Sequence, residues 1–144
     1  MFDGRCAVVV VASLALLLPP VPPAAATQLF YCDDSTYADN STFQANLNLL
    51  GAALPANASA SPAGYATGAV GAAPDQVNGM ALCRGDTNAS SCSSCVAAAF
   101  RDAQQRCPLT KGATVYKDAC TLRFAGIRFL DFLREDQWLV SELV

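Results

Sequence analysis

The sequence predicts an α+β domain, with two helices packed on one face of a five-stranded antiparallel sheet and three disulfides stapling it. Three observations carry this expectation. Two segments repeat apolar residues at helical spacing, and five short strand-like runs surround them. Six cysteines lie in the same part of the chain, after a leader that holds a seventh. Short strands and helices in these numbers pack naturally as a helix layer on a sheet.

The first strand is Gln28 to Cys32 (QLFYC), a short apolar and aromatic run. Asn40-Ser41-Thr42 then offers a helix N-cap, and Phe43, Leu47, Leu50 and Leu54 recur behind it. The first helix is placed near 42–53, because Gly51 weakens it and Pro55 stops it. Residues 56–64, built from Ala, Ser, Asn and Pro, read as an exposed loop. Strands follow at Gly64–Val70 and Gln76–Cys83, separated by a Gly-Ala-Ala-Pro-Asp turn. After a turn at Gly85–Asn88, Ser91–Cys107 is the second helix, with Cys92, Val96, Ala99, Phe100, Ala103 and Cys107 on one stripe and Pro108 ending it. Gly112–Tyr116 and Ala119–Ala125 complete the strands, the last placing Cys120, Leu122 and Phe124 on one face. No internal repeat is visible. Residues 127–144 mix Phe129, Leu130, Leu133, Trp138, Leu139 and Leu143 with charges, in the manner of an amphipathic helix that packs on the body or binds a partner.

The start of the chain reads as a secretory signal. Arg5 precedes the apolar run Cys6–Leu18, and a Pro-rich stretch leads to Ala24-Ala25-Ala26, small enough for a signal-peptidase pocket. That run holds 13 residues, whereas a bilayer span needs about 20. No later stretch is long, apolar and charge-free, so no membrane span is expected after signal cleavage. The domain boundaries predicted are 1–26 for the signal, 27–130 for a single cysteine-rich domain and 131–144 for a tail.

Beyond residue 26 the chain keeps eight Lys and Arg against eleven Asp and Glu, scattered and mildly acidic. Nucleic acid and anionic membrane surfaces both demand clustered cations, so neither is a predicted partner. Much of the apolar content is Ala, which buries little area, and a modest core needs covalent help. Six cysteines supply it: Cys32, Cys83, Cys92, Cys95, Cys107 and Cys120. An even number in a small secreted chain points to disulfides. Sequons at Asn40, Asn57 and Asn88 fit the same oxidising route and are candidate glycosylation sites.

Cys83 to Cys95 spells Cys-x8-Cys-x2-Cys. The Cys-x2-Cys part by itself serves zinc, redox chemistry and structural staples alike. Zinc would want four thiolates or added imidazoles, and the chain has no His. A redox dithiol at a helix start is a further reading of Cys92-Ser93-Ser94-Cys95, and three structural disulfides is the one favoured. No metal and no cofactor is expected.

Around these cysteines stand Tyr31-Cys32, Phe43 with Asn46-Leu47 and Leu50, Gly79-Met80-Ala81-Leu82-Cys83-Arg84-Gly85-Asp86, Cys107-Pro108, and Asp118-Ala119-Cys120-Thr121-Leu122-Arg123-Phe124. In these residues the chain resembles the plant cysteine-rich secretory domain, also called the stress-antifungal or ginkbilobin-2-homology domain (domain of unknown function 26), over roughly Leu29 to Leu130. The resemblance implies a two-helix, five-strand antiparallel fold. It also implies the pairing Cys32–Cys107, Cys83–Cys92 and Cys95–Cys120, one of 15 connectivities that six cysteines allow. Lectin-type members of the family bind mannose through an Asn after the first Cys, an Arg six before the last and a Glu five after it. The corresponding residues here are Asp33, Thr114 and Ala125, none of which matches. A site built to read hydroxyls loses most of its selectivity when its polar groups are replaced, so no functional residue is carried over.

Catalysis is not expected. Without His there is no Ser-His or Cys-His dyad. The adjacent pair Asp33-Asp34 reads as a solvated turn, and Gly64, Gly68 and Gly71 lack the Lys and helix of a phosphate loop. Two functions remain for an extracellular, apoplastic protein of defence or stress. One is binding of a wall or microbial glycan. The other is recognition of a protein partner, a receptor ectodomain of the same family, toward which the exposed-looking tail aromatics Phe129, Phe132 and Trp138 lean. Family chains often hold two such domains in tandem, so this one reads either as a complete short secreted protein or as a truncated receptor-kinase ectodomain.

Overall fold

Side chains along a β-strand alternate between faces, and the inward-facing set of every strand here is apolar. The computed structural model describes residues 28–131. In chain order the elements are β1 (Leu29–Cys32), α1 (Thr42–Ala60), β2 (Tyr65–Val70), β3 (Val77–Cys83), α2 (Ala89–Arg106), β4 (Gly112–Tyr116) and β5 (Cys120–Ala125). A further helical stretch begins at Phe129. The proposed signal and all of the tail after Asp131 lie outside the described residues.

All neighbouring strands pair antiparallel, in the order β1-β4-β5-β3-β2. The register aligns Phe30, Val115, Leu122, Ala81 and Ala66 as one row across all five strands on the inner face. Helices α1 and α2 cover that face, burying Phe43, Leu47, Leu50 and Leu54 from the first and Cys92, Val96, Ala99, Phe100 and Ala103 from the second. The predicted α2 stripe is thus the buried one. Gly79 on β3 makes the close approach possible, since a Cβ there would stand 2.6 Å from Leu50 Cδ2 and 3.0 Å from Leu54 Cδ1. Phe100 stacks on Phe124 at 6.0 Å between ring centroids, linking α2 to the sheet.

Disulfides join Cys32 to Cys107, Cys83 to Cys92 and Cys95 to Cys120. The first bolts edge strand β1 to the residue after α2, the second links β3 to the start of α2, and the third ties α2 to β5. The helix layer is therefore bonded to the sheet at three places.

Three sequence expectations need correction. Helix α1 does not stop at Pro55 but continues to Ala60. Proline removes one intrahelical hydrogen bond, a cost of about 3 kcal/mol or more. Burial of Leu54, Pro55 and Ala58 against the sheet and α2 offsets it. Residues 56–60, expected in an exposed loop, are the last turn of that helix, closed where Ser61 N–H donates to the Asn57 and Ala58 carbonyls. Helix α2 begins at Ala89, two residues before the expected start, because the Asn88 side chain accepts from Ser91 N–H at 2.8 Å and caps it there. The third correction concerns Phe129. It is buried, at 3% exposure, and so is not among the exposed aromatics. Phe132 and Trp138 lie outside the described residues.

Candidate functional site

Helices α1 and α2 both lie on one face of the sheet. On the other face the register builds a second row across all five strands: Leu29, Tyr116, Thr121, Leu82 and Tyr65. Four of these are large apolar or aromatic side chains, each 41–51% exposed. Tyr31 stands beside the row with its ring edge-on to Tyr116, centroids 6.1 Å apart. No charged side chain interrupts the row. This is a contiguous apolar strip on a surface that solvent would otherwise wet, the kind of feature that marks an interaction surface.

Charges gather along the flank of the row, beyond the end of β3 and in the β4–β5 turn. A shallow cavity of about 420 Å³ opens there, lined among others by Leu82, Arg84, Lys117, Asp118 and Thr121. Arg84 binds both oxygens of Asp86, at 2.7 and 2.8 Å, and approaches Asp118 at 3.4 Å. The hydrogen bond to Arg84 holds the Asp86 carboxyl below its usual range, and the same contacts raise Arg84. Lys117 pairs with Asp102 of α2, a half-buried contact that ties the β4–β5 turn to the helix layer.

The next row on this face is Tyr31, Thr114, Arg123, Met80 and Thr67. Beyond it Gly112 pairs with Ala125, and Ala125 with Asn78. The three positions of the family sugar site therefore share one corner. Asp33 N–H donates to Gly112 O at 2.9 Å, and its carboxylate packs so tightly over Gly112 that a Cβ there would overlap Oδ2. Ala125 is Gly112's register partner, and Thr114 lies one row away. The corner offers little to a sugar: Ala125 is 2% exposed and has no polar side-chain atom, and Thr114 is half-buried. Asp33-Asp34, considered as a carboxylate pair, lies exposed after β1.

Cys92 and Cys95 are bonded to Cys83 and Cys120, not to each other. The Cys-x2-Cys segment is therefore no dithiol pair, and all six sulfurs are committed. Asn40 precedes the cap of α1, Asn57 lies within α1, and Asn88 caps α2, so the three sequons belong to the helix side of the molecule. The row Leu29–Tyr65 escaped sequence reasoning. Each residue was visible as the outward member of a strand, but only pairing aligns the five.

A family model described as salt stress response/antifungal matches residues 31–126. The chain belongs to this family. It is 52% identical over 111 residues to cysteine-rich receptor-like protein kinase 6 of Oryza sativa subsp. japonica, covering 77% of this chain and 16% of the kinase. It is 35% identical over 99 residues to putative cysteine-rich repeat secretory protein 7 of Arabidopsis thaliana, covering 69% of this chain and 34% of that protein. The solved tandem DUF26 ectodomain of the Arabidopsis thaliana cysteine-rich receptor-like protein PDLP8 matches with a TM-score of 0.65 at 25% identity, over 70% of this chain and 48% of that one. That of PDLP5 matches with a TM-score of 0.66 at 24% identity, over 71% and 51%.

The chain thus spans well under two thirds of these relatives. What it shares with the kinases is the salt stress response/antifungal domain, with the fold of the solved DUF26 ectodomains. Relatives in this family are cysteine-rich receptor-like kinases and cysteine-rich repeat secretory proteins. Among the described residues no helix is long and apolar enough to cross a membrane.

Proposed function

We propose that this protein is a non-enzymatic recognition module of the plant extracellular space, acting in defence or stress signalling by docking a receptor ectodomain of its own family. In this reading residues 1–26 direct secretion into the apoplast, 27–130 form the binding domain, and 131–144 are an atypical tail. The observation that carries it is the apolar row Leu29–Tyr116–Thr121–Leu82–Tyr65 on the face opposite α1 and α2. The placement of Asn40, Asn57 and Asn88 supports it, because glycans on all three would leave that face bare. The replaced residues at Asp33, Thr114 and Ala125 count against a mannose lectin.

The test is a binding screen of the secreted, fully oxidised protein against a panel of family ectodomains and a glycan array rich in mannose. Saturable binding to an ectodomain, lost in a Leu82→Asp, Tyr116→Asp double variant, is the expected result. Mannose binding that free sugar competes and the double variant leaves intact would overturn the reading and restore a lectin.

A further inference from the structure

The two edges of the sheet are guarded unequally. Edge strand β1 has four residues, is bolted by Cys32–Cys107 and runs straight into Asp33-Asp34. Shortness and nearby charge are common devices against edge-to-edge pairing. Edge strand β2 has six residues, all in register with β3 and so without a bulge, and carries neither charge nor proline. No charged residue occurs anywhere between Asp39 and Asp75, a stretch that also holds all of α1.

The β2 backbone offers a template. Cys83 N–H donates to Gly64 O at 2.8 Å, so Gly64 and Cys83 are a hydrogen-bonded pair. Such pairs alternate along an antiparallel ladder. Ala66, Gly68 and Val70 therefore bond to β3, while the N–H and C=O of Tyr65, Thr67 and Ala69 point away from it. Among the described residues no backbone hydrogen bond reaches those groups. Helix α1 presents a matching flank above this edge. Asn48 faces α2, its Oδ1 accepting from Gln104 at 3.4 Å. Leu49, Ala53 and Ala60 lie on the opposite flank, in the stripe of Asn46, which donates to Asp75 O in the β2–β3 loop. All three are exposed, Leu49 by 60%.

We infer that β2 is a self-pairing edge, where two copies of this chain join antiparallel across a two-fold axis at Thr67. This register uses all three outward residues. Thr67 of one copy faces Thr67 of the other, and each Tyr65 faces an Ala69, a large side chain against a small one. Each of these pairs exchanges two hydrogen bonds. Self-pairing sets every charge against its own kind, and this edge has none to oppose. The axis stands perpendicular to the sheet, so both helix layers share one side, with the Leu49 flanks together, and both outer rows share the other. The pairing goes beyond the recognition reading and does not rest on it; it sets two rows facing one way.

Asn57 lies in the same stripe of α1, so a glycan there stands at the seam. The test is therefore the mass of the full, oxidised chain by analytical ultracentrifugation across the micromolar range, for the secreted protein and for its Asn57→Gln variant. The expected result is a reversible dimer of twice the monomer mass, at least in Asn57→Gln. Thr67→Pro removes an outward donor and no bond to β3, and Thr67→Glu sets two carboxylates together on the axis; both are expected to stay monomeric. Circular dichroism checks their folding, and Thr67→Glu decides if Thr67→Pro does not fold. Cysteine substitution reads the register. Two Thr67→Cys residues would stand about 5.5 Å apart between Cα atoms, within disulfide reach, whereas two Ala69→Cys residues would be about 14 Å apart. In a glutathione buffer Thr67→Cys is expected to cross-link the copies and Ala69→Cys is not, with the native disulfides confirmed by mass spectrometry. A monomer in both Asn57 forms would overturn the pairing and leave the recognition reading standing, since ectodomain binding is read in a separate assay. A dimer unaffected by both Thr67 variants, meaning that another surface joins the copies, would also overturn it. So would equal cross-linking at positions 67 and 69.

Discussion

The two faces of this sheet are made from the same five strands, yet one is sealed and the other is open. Each face carries an apolar row that crosses all five strands: Phe30–Val115–Leu122–Ala81–Ala66 inside, Leu29–Tyr116–Thr121–Leu82–Tyr65 outside. In the inner row Val115, Leu122 and Ala81 are completely buried, whereas the four large side chains of the outer row are nearly half exposed. Hydrophobicity alone does not separate them. What separates them is the helix layer, bonded to one side by three disulfides. An apolar row beneath the helices contributes stability, while an equal row on the far side is available for binding.

The largest effect should come from unfastening the layer. Cys32–Cys107 closes a loop with a sequence separation of 75, for which chain entropy gives an upper bound of about 4.5 kcal/mol. The corresponding bounds are about 3.5 kcal/mol for Cys95–Cys120 and 2.7 kcal/mol for Cys83–Cys92. A Cys32→Ser, Cys107→Ser double variant is expected to lose the most stability of the three disulfide deletions, measured as urea midpoints at constant slope. A smaller loss than for Cys83–Cys92 would show that the edge-strand bolt matters less than the comparison requires.

The two faces can then be compared residue by residue. Leu54→Ala empties a fully buried site under the sheet and is expected to cost about 2–5 kcal/mol. Gly79→Ala pushes a methyl against Leu50 and Leu54, an overpacking cost of about 1–3 kcal/mol. Leu82→Ala on the outer face is expected to change stability by no more than about 0.5 kcal/mol, as exposed substitutions do. Equal costs at Leu54 and Leu82, by chemical denaturation, would erase the distinction between a structural and a binding face.

The smallest expected effect is at the charged cluster that flanks the outer row. Arg84 holds the Asp86 carboxyl below its usual range, chiefly by hydrogen bonding to it. A lowered folded-state value means that stability from this pair is present above the ordinary carboxylate value of 3.8 and is lost as pH falls through the lowered one. Both groups are exposed, so the contribution is that of a surface pair. Asp86→Asn should therefore flatten the acid limb of a stability-versus-pH curve, lowering stability slightly at neutral pH and leaving the acid end unchanged. A change at neutral pH larger than that of Leu82→Ala would give this clamp a structural role.

Much of this molecule is legible along the chain. The α2 stripe, the five strands and the run Phe43, Leu47, Leu50, Leu54 follow from periodicity, because a helix or strand imposes its repeat on every local window. Composition and the spacing of Cys83, Cys92 and Cys95 pointed to disulfides and to the family for the same reason, being properties of neighbours in sequence. The extension of α1 past Pro55 was not legible, since the loss of one hydrogen bond is local while the burial of Leu54 and Ala58 that outweighs it comes from α2 and the sheet. Nor was the burial of Phe129, which depends on Arg123 and on the turn held by Asn78.

The outer row shows the division most clearly. Leu29, Tyr65, Leu82, Tyr116 and Thr121 each point outward by strand alternation, which the sequence alone states. That they form one line follows from the order β1-β4-β5-β3-β2 and its register, and that α1 and α2 leave it uncovered follows from their packing on the other face. Alternation is set by backbone geometry between adjacent residues. Register and coverage are set by contacts between residues far apart in the chain, so they exist only once the chain has folded.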